Sequence, residues 1–159
     1  MNKNMMIAFA VASMAFSAPA MANSFTGAHV EATAGVDGVT NGRDRTDIVY
    51  GVGVGVDAEL YKNVVIGVSG SFDNVLDRAN LSVGARLGYV VDDKVLLYTG
   101  AGYSSWKEFR HGTIDGLRLT GGAEVNLLPH VYTGAEYRYT NYAGRASGNA
   151  VVAKIGYRF

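Results

Sequence analysis

The chain has 159 residues, no cysteine, 21 glycines, and 14 basic against 14 acidic side chains. A net charge of zero argues against nucleic acid as a partner. The lack of cysteine excludes disulfides and thiolate metal sites, so an exported domain of this size would rest on a core, a metal or a lipid solvent.

Met1 to Ala22 has the three parts of a secretory signal. Lys3 supplies a positive start, Met5 to Phe16 is an apolar stretch too short to span a bilayer as a helix, and Ala20-Met-Ala22 is a small-x-small cleavage site. A retained amphipathic helix is the alternative. Cleavage after Ala22 is expected to leave one domain, residues 23–159. No later apolar run is long enough for a membrane helix.

The rest of the chain alternates with period two, the signature of half-buried strands. Strand one is expected from Phe25 to Val36, with Ala28, Val30, Ala32 and Ala34 on one face and His29, Glu31 and Thr33 on the other. Gly38 to Arg45 reads as a polar loop. Strand two, Asp47 to Leu60, sets Ile48, Tyr50, Val52, Val54, Val56, Ala58 and Leu60 against Asp47, Gly51, Gly53, Gly55, Asp57 and Glu59. The repeated Gly-Val-Gly-Val-Gly55 precedes no helix, so it is not a phosphate-binding loop. Tyr61 to Asn63 is a tight turn, strand three runs from Val64 to Phe72, and Asp73 to Ala79 is a polar loop. Strand four runs from Leu81 to Tyr89, with Arg86 opposite its apolar face, and Val91 to Lys94 is a turn. Strand five, Val95 to Tyr103, leads into the longest expected loop, Ser104 to Asp115. Strand six, Leu117 to Leu127, has Arg118 and Glu124 on its polar face, and Leu128 to His130 is a turn. Strand seven, Val131 to Tyr139, sets Glu136 and Arg138 opposite the apolar face, and Asn141 to Gly148 is the last loop. Strand eight places Val151, Ala153, Ile155, Tyr157 and Phe159 on one face, and Val152, Lys154, Gly156 and Arg158 on the other.

Eight strands of roughly ten residues match a tilted crossing of the hydrocarbon layer. Short turns and longer polar loops alternate, which collects the turns at one end and the loops at the other. The apolar face of these strands carries no charge. An open terminal strand would be an aggregation hazard, and pairing the last strand with the first removes it. A soluble ligand barrel would turn the apolar face inward. A Gly-rich opposite face makes a poor water-facing surface and argues for lipid outside. Two aromatic girdles are expected. Phe25, Tyr61, Tyr89, Tyr132, Tyr157 and Phe159 mark the turn end; Tyr50, Phe72, Tyr103, Trp106, Tyr137, Tyr139 and Tyr142 mark the loop end. The reading is all-β: an eight-stranded antiparallel up-and-down transmembrane β-barrel.

The segments Tyr98-Thr-Gly-Ala-Gly-Tyr103, Gly134-Ala-Glu-Tyr-Arg-Tyr-Thr-Asn-Tyr142 and Gly156-Tyr-Arg-Phe159 give the chain its family likeness. It resembles the small eight-stranded outer-membrane barrels of Gram-negative bacteria, the OmpA-type and opacity-type surface proteins. The resemblance implies an outer-membrane location, both termini on the periplasmic side, and contact with outer-membrane lipids and lipopolysaccharide. The terminal Tyr157 and Phe159 resemble the signal read by the outer-membrane barrel assembly machinery. A monomer is expected, and the implied role is structural and surface-interactive. A narrow channel is the alternative, and a lipid-modifying enzyme is a third reading.

A barrel this small has an interior filled by its own side chains. Mixed charges packed there should pair, because a lone buried charge is far more costly than a paired one. The expected interior network is Glu31, Arg86, Arg118, Glu124, Glu136, Arg138 and Lys154, with inward glycines making room for the long basic chains. Catalysis by Glu124 and Glu136 would also need a nucleophile or water site and substrate access, so no catalytic residue is expected. Ser104, Ser105 and His111 are the residual Ser/His grouping for an enzyme. His29, His130 and His111 are far apart, so no metal and no cofactor is expected. At the loop end, Arg43, Arg45, Arg78, Trp106, Lys107 and Arg110 are candidates for binding phosphates of lipopolysaccharide or a host surface polymer.

Overall fold

The computed structural model describes residues 24–40, 44–75, 78–108, 112–142 and 146–159. Eight strands follow one another: β1 (Gly27–Thr40), β2 (Asp44–Tyr61), β3 (Val64–Val75), β4 (Arg78–Asp92), β5 (Val95–Glu108), β6 (Gly112–Asn126), β7 (Val131–Tyr142) and β8 (Ala146–Arg158). Each pairs antiparallel with the next, and β8 pairs with β1, from His29 opposite Arg158 to Thr40 opposite Ser147. The sheet is a closed barrel with no free edge.

Period two decides which side chains face out. Val52, Val54, Val68, Leu81, Val83, Leu87, Leu97, Leu117, Leu119, Val151 and Ile155 all lie on the outer surface and are exposed. A belt of this kind is stable only in an apolar solvent, because in water it would forfeit about 25 cal/mol for each Å² left uncovered. Around its loop-side rim, outward tyrosines engage polar neighbours. Asn74 donates to the Tyr50 hydroxyl at 2.9 Å, and the Tyr137 hydroxyl donates to Asn149 at 2.6 Å.

The turns at the other end are tight. Lys62 and Asn63 join β2 to β3, with Asn63 at φ 64°, a left-handed conformation that Asn tolerates better than most residues. Between β6 and β7, Leu127 donates to the Val131 carbonyl and Val131 to that of Leu128.

Three expectations are corrected. The four loop-end connections are shorter than read. β1 continues to Thr40, β3 to Val75, β5 to Glu108 and β7 to Tyr142, so Asp73, Ser104 and Ser105 stand in strands. The ladder satisfies backbone groups whether or not lipid is alongside, so polar residues extend the hairpins beyond the apolar belt. Second, Phe25 precedes β1. Third, Phe25, Tyr132 and Tyr142 belong to neither girdle, since all three are buried inside the barrel.

Candidate functional site

The inward face converges on the lumen, and all eight strands contribute to it. Its lower half, nearer the short turns, is built around two carboxylates. Asp57 on β2 accepts two hydrogen bonds from Arg86 on β4, from Nε at 2.9 Å and from Nη2 at 2.5 Å. Such a two-point contact fixes the guanidinium plane as well as its charge. The remaining Arg86 Nη1 donates to Glu124 on β6 at 2.6 Å. Glu124, fully buried, also lies 2.9 Å from Lys154 Nζ and 3.0 Å from Arg158 Nη2. One carboxylate thus holds three cations. His29 Nδ1 lies 3.2 Å from Asp57.

A middle layer sits above. Lys154 Nζ is 3.4 Å from Glu31 and 3.6 Å from Glu136. The Tyr132 hydroxyl donates to Glu31 at 2.8 Å, and that of Tyr98 to Glu136 at 2.6 Å. The Arg158 guanidinium lies over the Tyr132 ring at 4.6 Å, and Lys154 over the Tyr98 ring at 4.6 Å. Arg138 links this layer to the next, donating to Glu136 at 2.6 Å and to Asp73 on β3 at 3.0 Å.

In the upper half, Asp73 also accepts from Arg118 at 3.1 Å, and Arg118 Nε donates to Thr140. Toward the loops lie Asp37 and Asp47, opposite each other on β1 and β2, and a cluster of neutral groups. Asn80 donates across the lumen to the Tyr142 hydroxyl at 3.2 Å and accepts from Ser104 at 2.7 Å and Ser82 at 3.3 Å. Between the halves, a cavity of about 60 Å³ lies between two unlike walls. Ser69, Ser71, Ser82 and Gly84 line one side, and Arg118, Arg138, Lys154 and Glu136 the other.

Each of the interior cations Arg86, Arg118, Arg138, Lys154 and Arg158 has a carboxylate partner among Glu31, Asp57, Asp73, Glu124 and Glu136. Glu31, Arg86, Glu124, Glu136, Arg138 and Lys154 meet in one connected group, to which Arg118 is joined only through Asp73. The network also takes in Asp57 and Arg158, which the alternation sets on the polar face but outside the expected network, and Asp73, which reads as a loop residue. Their inward parity, shared with Gly55, Ser71 and Lys154, was the available signal. The glycines also seat different partners than expected. A Cβ at Gly156 would run into the Tyr132 ring, one at Gly67 into the Asp57 carboxylate and one at Gly53 into Glu31, so they make room chiefly for acids and tyrosines.

Tyr157 and Phe159 sit side by side on the outer face at the turn end, with ring centroids 5.1 Å apart. His130 stacks on Tyr157 at 5.5 Å and exchanges contacts with Arg158, whose backbone N–H donates to the His130 carbonyl. Ser104 is buried in the lumen against Asn80, while His111 lies outside the described residues, as do Arg43 and Arg110. Arg45, Arg78, Trp106 and Lys107 stand on described strand backbone at the loop end, but their side chains lie outside what is described. Among the described residues, no three His, Asp or Glu are arranged to hold a metal ion.

Solved structures share this architecture. Neisserial surface protein A matches with a TM-score of 0.60 at 19% identity, covering 83% of this chain and 97% of that one. The attachment invasion locus protein Ail of Yersinia pestis matches at 0.58 and 20%, covering 83% and 97%. The outer membrane enzyme PagL matches at 0.64 and 11%, covering 82% and 99%. No curated protein sequence matches the chain. At these identities the likeness is one of fold. The sequence itself matches the family model for the outer membrane protein beta-barrel domain over residues 8–159, and with its closed eight-stranded barrel and lipid-suited belt the chain belongs to that family.

Proposed function

We propose that this chain is a structural, surface-presenting protein of the outer membrane whose lumen is plugged by its own side chains, rather than a channel or an enzyme. One observation carries the reading: among the described residues, the interior cations Arg86, Arg118, Arg138, Lys154 and Arg158 are each paired with a carboxylate, and the cavity between the halves measures only about 60 Å³. That volume suits a few ordered waters. An ion crossing would have to part several desolvated pairs, each costly to break. The protein acts as a monomer, exported by its N-terminal signal, with Tyr157 and Phe159 serving as its assembly signal. A cell lacking the chain should become more sensitive to detergents and leak periplasmic enzymes, and the wild-type gene should restore it. Unchanged integrity with altered uptake of small solutes would move the assignment to transport.

A second reading concerns the loop end. The Yersinia pestis protein Ail has been crystallised with the heparin analogue sucrose octasulfate, which favours a polyanion-binding role for the basic residues Arg43, Arg45, Arg78, Lys107 and Arg110. Their target would be lipopolysaccharide phosphates or a sulfated host polymer. Substituting Lys107 and Arg110 together by Ala should weaken binding to both and flatten its salt dependence. Unchanged binding would end this reading. Catalysis has less support. PagL carries out enzymatic work on this fold, but here Ser104 is turned into the lumen and held by Asn80, away from lipid.

A further inference from the structure

The residues just before β1 do something that the strands do not. At Gly27 the backbone adopts φ +111°, a conformation that side chains rarely tolerate, and a Cβ there would sit 2.7 Å from the Phe159 carbonyl oxygen. This kink turns residues 24–26 away from the barrel wall and across its short-turn mouth. Phe25 crosses the lumen to the far side and is fully buried in a cluster with Val65 of β3, Val90 of β4, and Leu96 and Tyr98 of β5. Ser24 anchors the crossing. Its hydroxyl donates to the Asp93 carbonyl in the β4–β5 turn at 2.9 Å. Its own carbonyl accepts from Asn126 at the end of β6 and from Arg158 of β8, each at 3.4 Å. Above the ring of Phe25 lies the Arg158 guanidinium, at 5.4 Å, so the apolar floor abuts the ion pairs directly.

We propose that Ser24–Thr26 is the gate of the short-turn mouth: a strap that keeps the lower lumen dry and whose release admits solvent to the Asp57–Arg86–Glu124 pairs. It is a second seal beneath the ion pairs, joined to them through Arg158, which also meets Glu124. It precedes the strand ladder and is held by apolar contact at Phe25 and by the hydrogen bonds of Ser24, so it can open without unfolding the sheet, as locally stabilised segments do. Its bonds reach three separate elements at that end, the β4–β5 turn, β6 and β8, which makes it the piece that ties the mouth together.

The absence of native cysteine makes the test clean. Ser24→Cys and Phe25→Cys would be prepared as single-cysteine barrels in lipid nanodiscs, where both mouths meet solvent, and exposed to a charged methanethiosulfonate. Ser24 is exposed and Phe25 buried, so Phe25→Cys should react at least about tenfold more slowly than its neighbour. Leu96→Cys, in the floor, should be protected in the intact chain and labelled at least about tenfold faster with Phe25→Gly added, the barrel still showing its heat-dependent shift on gels. Equal labelling of Ser24→Cys and Phe25→Cys would overturn the proposal, as would a Leu96→Cys rate indifferent to Phe25. Should the Phe25→Gly variant not refold, the Ser24→Cys and Phe25→Cys pair decides alone.

Discussion

The two halves of the lumen solve one problem by different means. In the lower half, charges are buried outright, and they are tolerated because each carboxylate meets more than one cation; Glu124 alone meets three. In the upper half, buried Asp73 serves buried Arg138 and half-buried Arg118, Asp37 and Asp47 stand opposite each other in register nearer the loops, and Asn80, Ser82, Ser104 and Tyr142 form a neutral hydrogen-bonded chain. The contrast teaches where charge is needed. Shared ion pairs hold together strands distant in sequence in the lower half, and neutral hydrogen bonds do the same for a buried cluster in the upper half.

Substitutions can break or sharpen that contrast. The largest effect is expected from Glu124→Gln, which strips Arg86, Lys154 and Arg158 of a shared anion and should cost roughly 3–5 kcal/mol, read from urea unfolding in lipid vesicles. Asp73→Asn should cost less, about 2–3 kcal/mol, because Arg118 retains some access to water. A larger loss for Asp73→Asn than for Glu124→Gln would invert the account of the two halves. Ser104→Ala removes one neutral donor from the upper cluster and should cost about 1 kcal/mol by the same assay. Substituting Arg86 and Asp57 together by apolar residues of similar size should cost clearly less than the two single changes summed, with a coupling of roughly 0.5–3 kcal/mol. Additive losses would show that the two-point contact is not an energetic unit.

The barrel was legible in the sequence because one rule, the parity of each residue along its strand, sets both the lipid belt and the lumen. Ile48 to Leu60 and Val151 to Phe159 state it without ambiguity. Errors came where a second heuristic overrode parity. Tyr132 and Tyr142 share the parity of Glu136 and Arg138 and so point inward, while Phe25, before β1, is turned into the lumen by the kink at Gly27. Their position near strand ends instead suggested girdles. Asp73 reads as a loop residue by its polarity, yet the alternation runs past Phe72 and carries β3 to Val75. Which carboxylate meets which cation was not legible, because pairing depends on register around a closed barrel, and the strap depends on one backbone torsion at Gly27.

Single-channel recording of the refolded wild-type chain in a planar bilayer tests the central claim, a lumen shut by its own side chains, most directly. The account predicts a silent barrel, with openings emerging when Arg86→Ala and Glu136→Ala are combined with Phe25→Gly. Steady openings of the wild type, shifted in ion selectivity by the Arg86 and Glu136 changes, would contradict it and make those residues the lining of a pore.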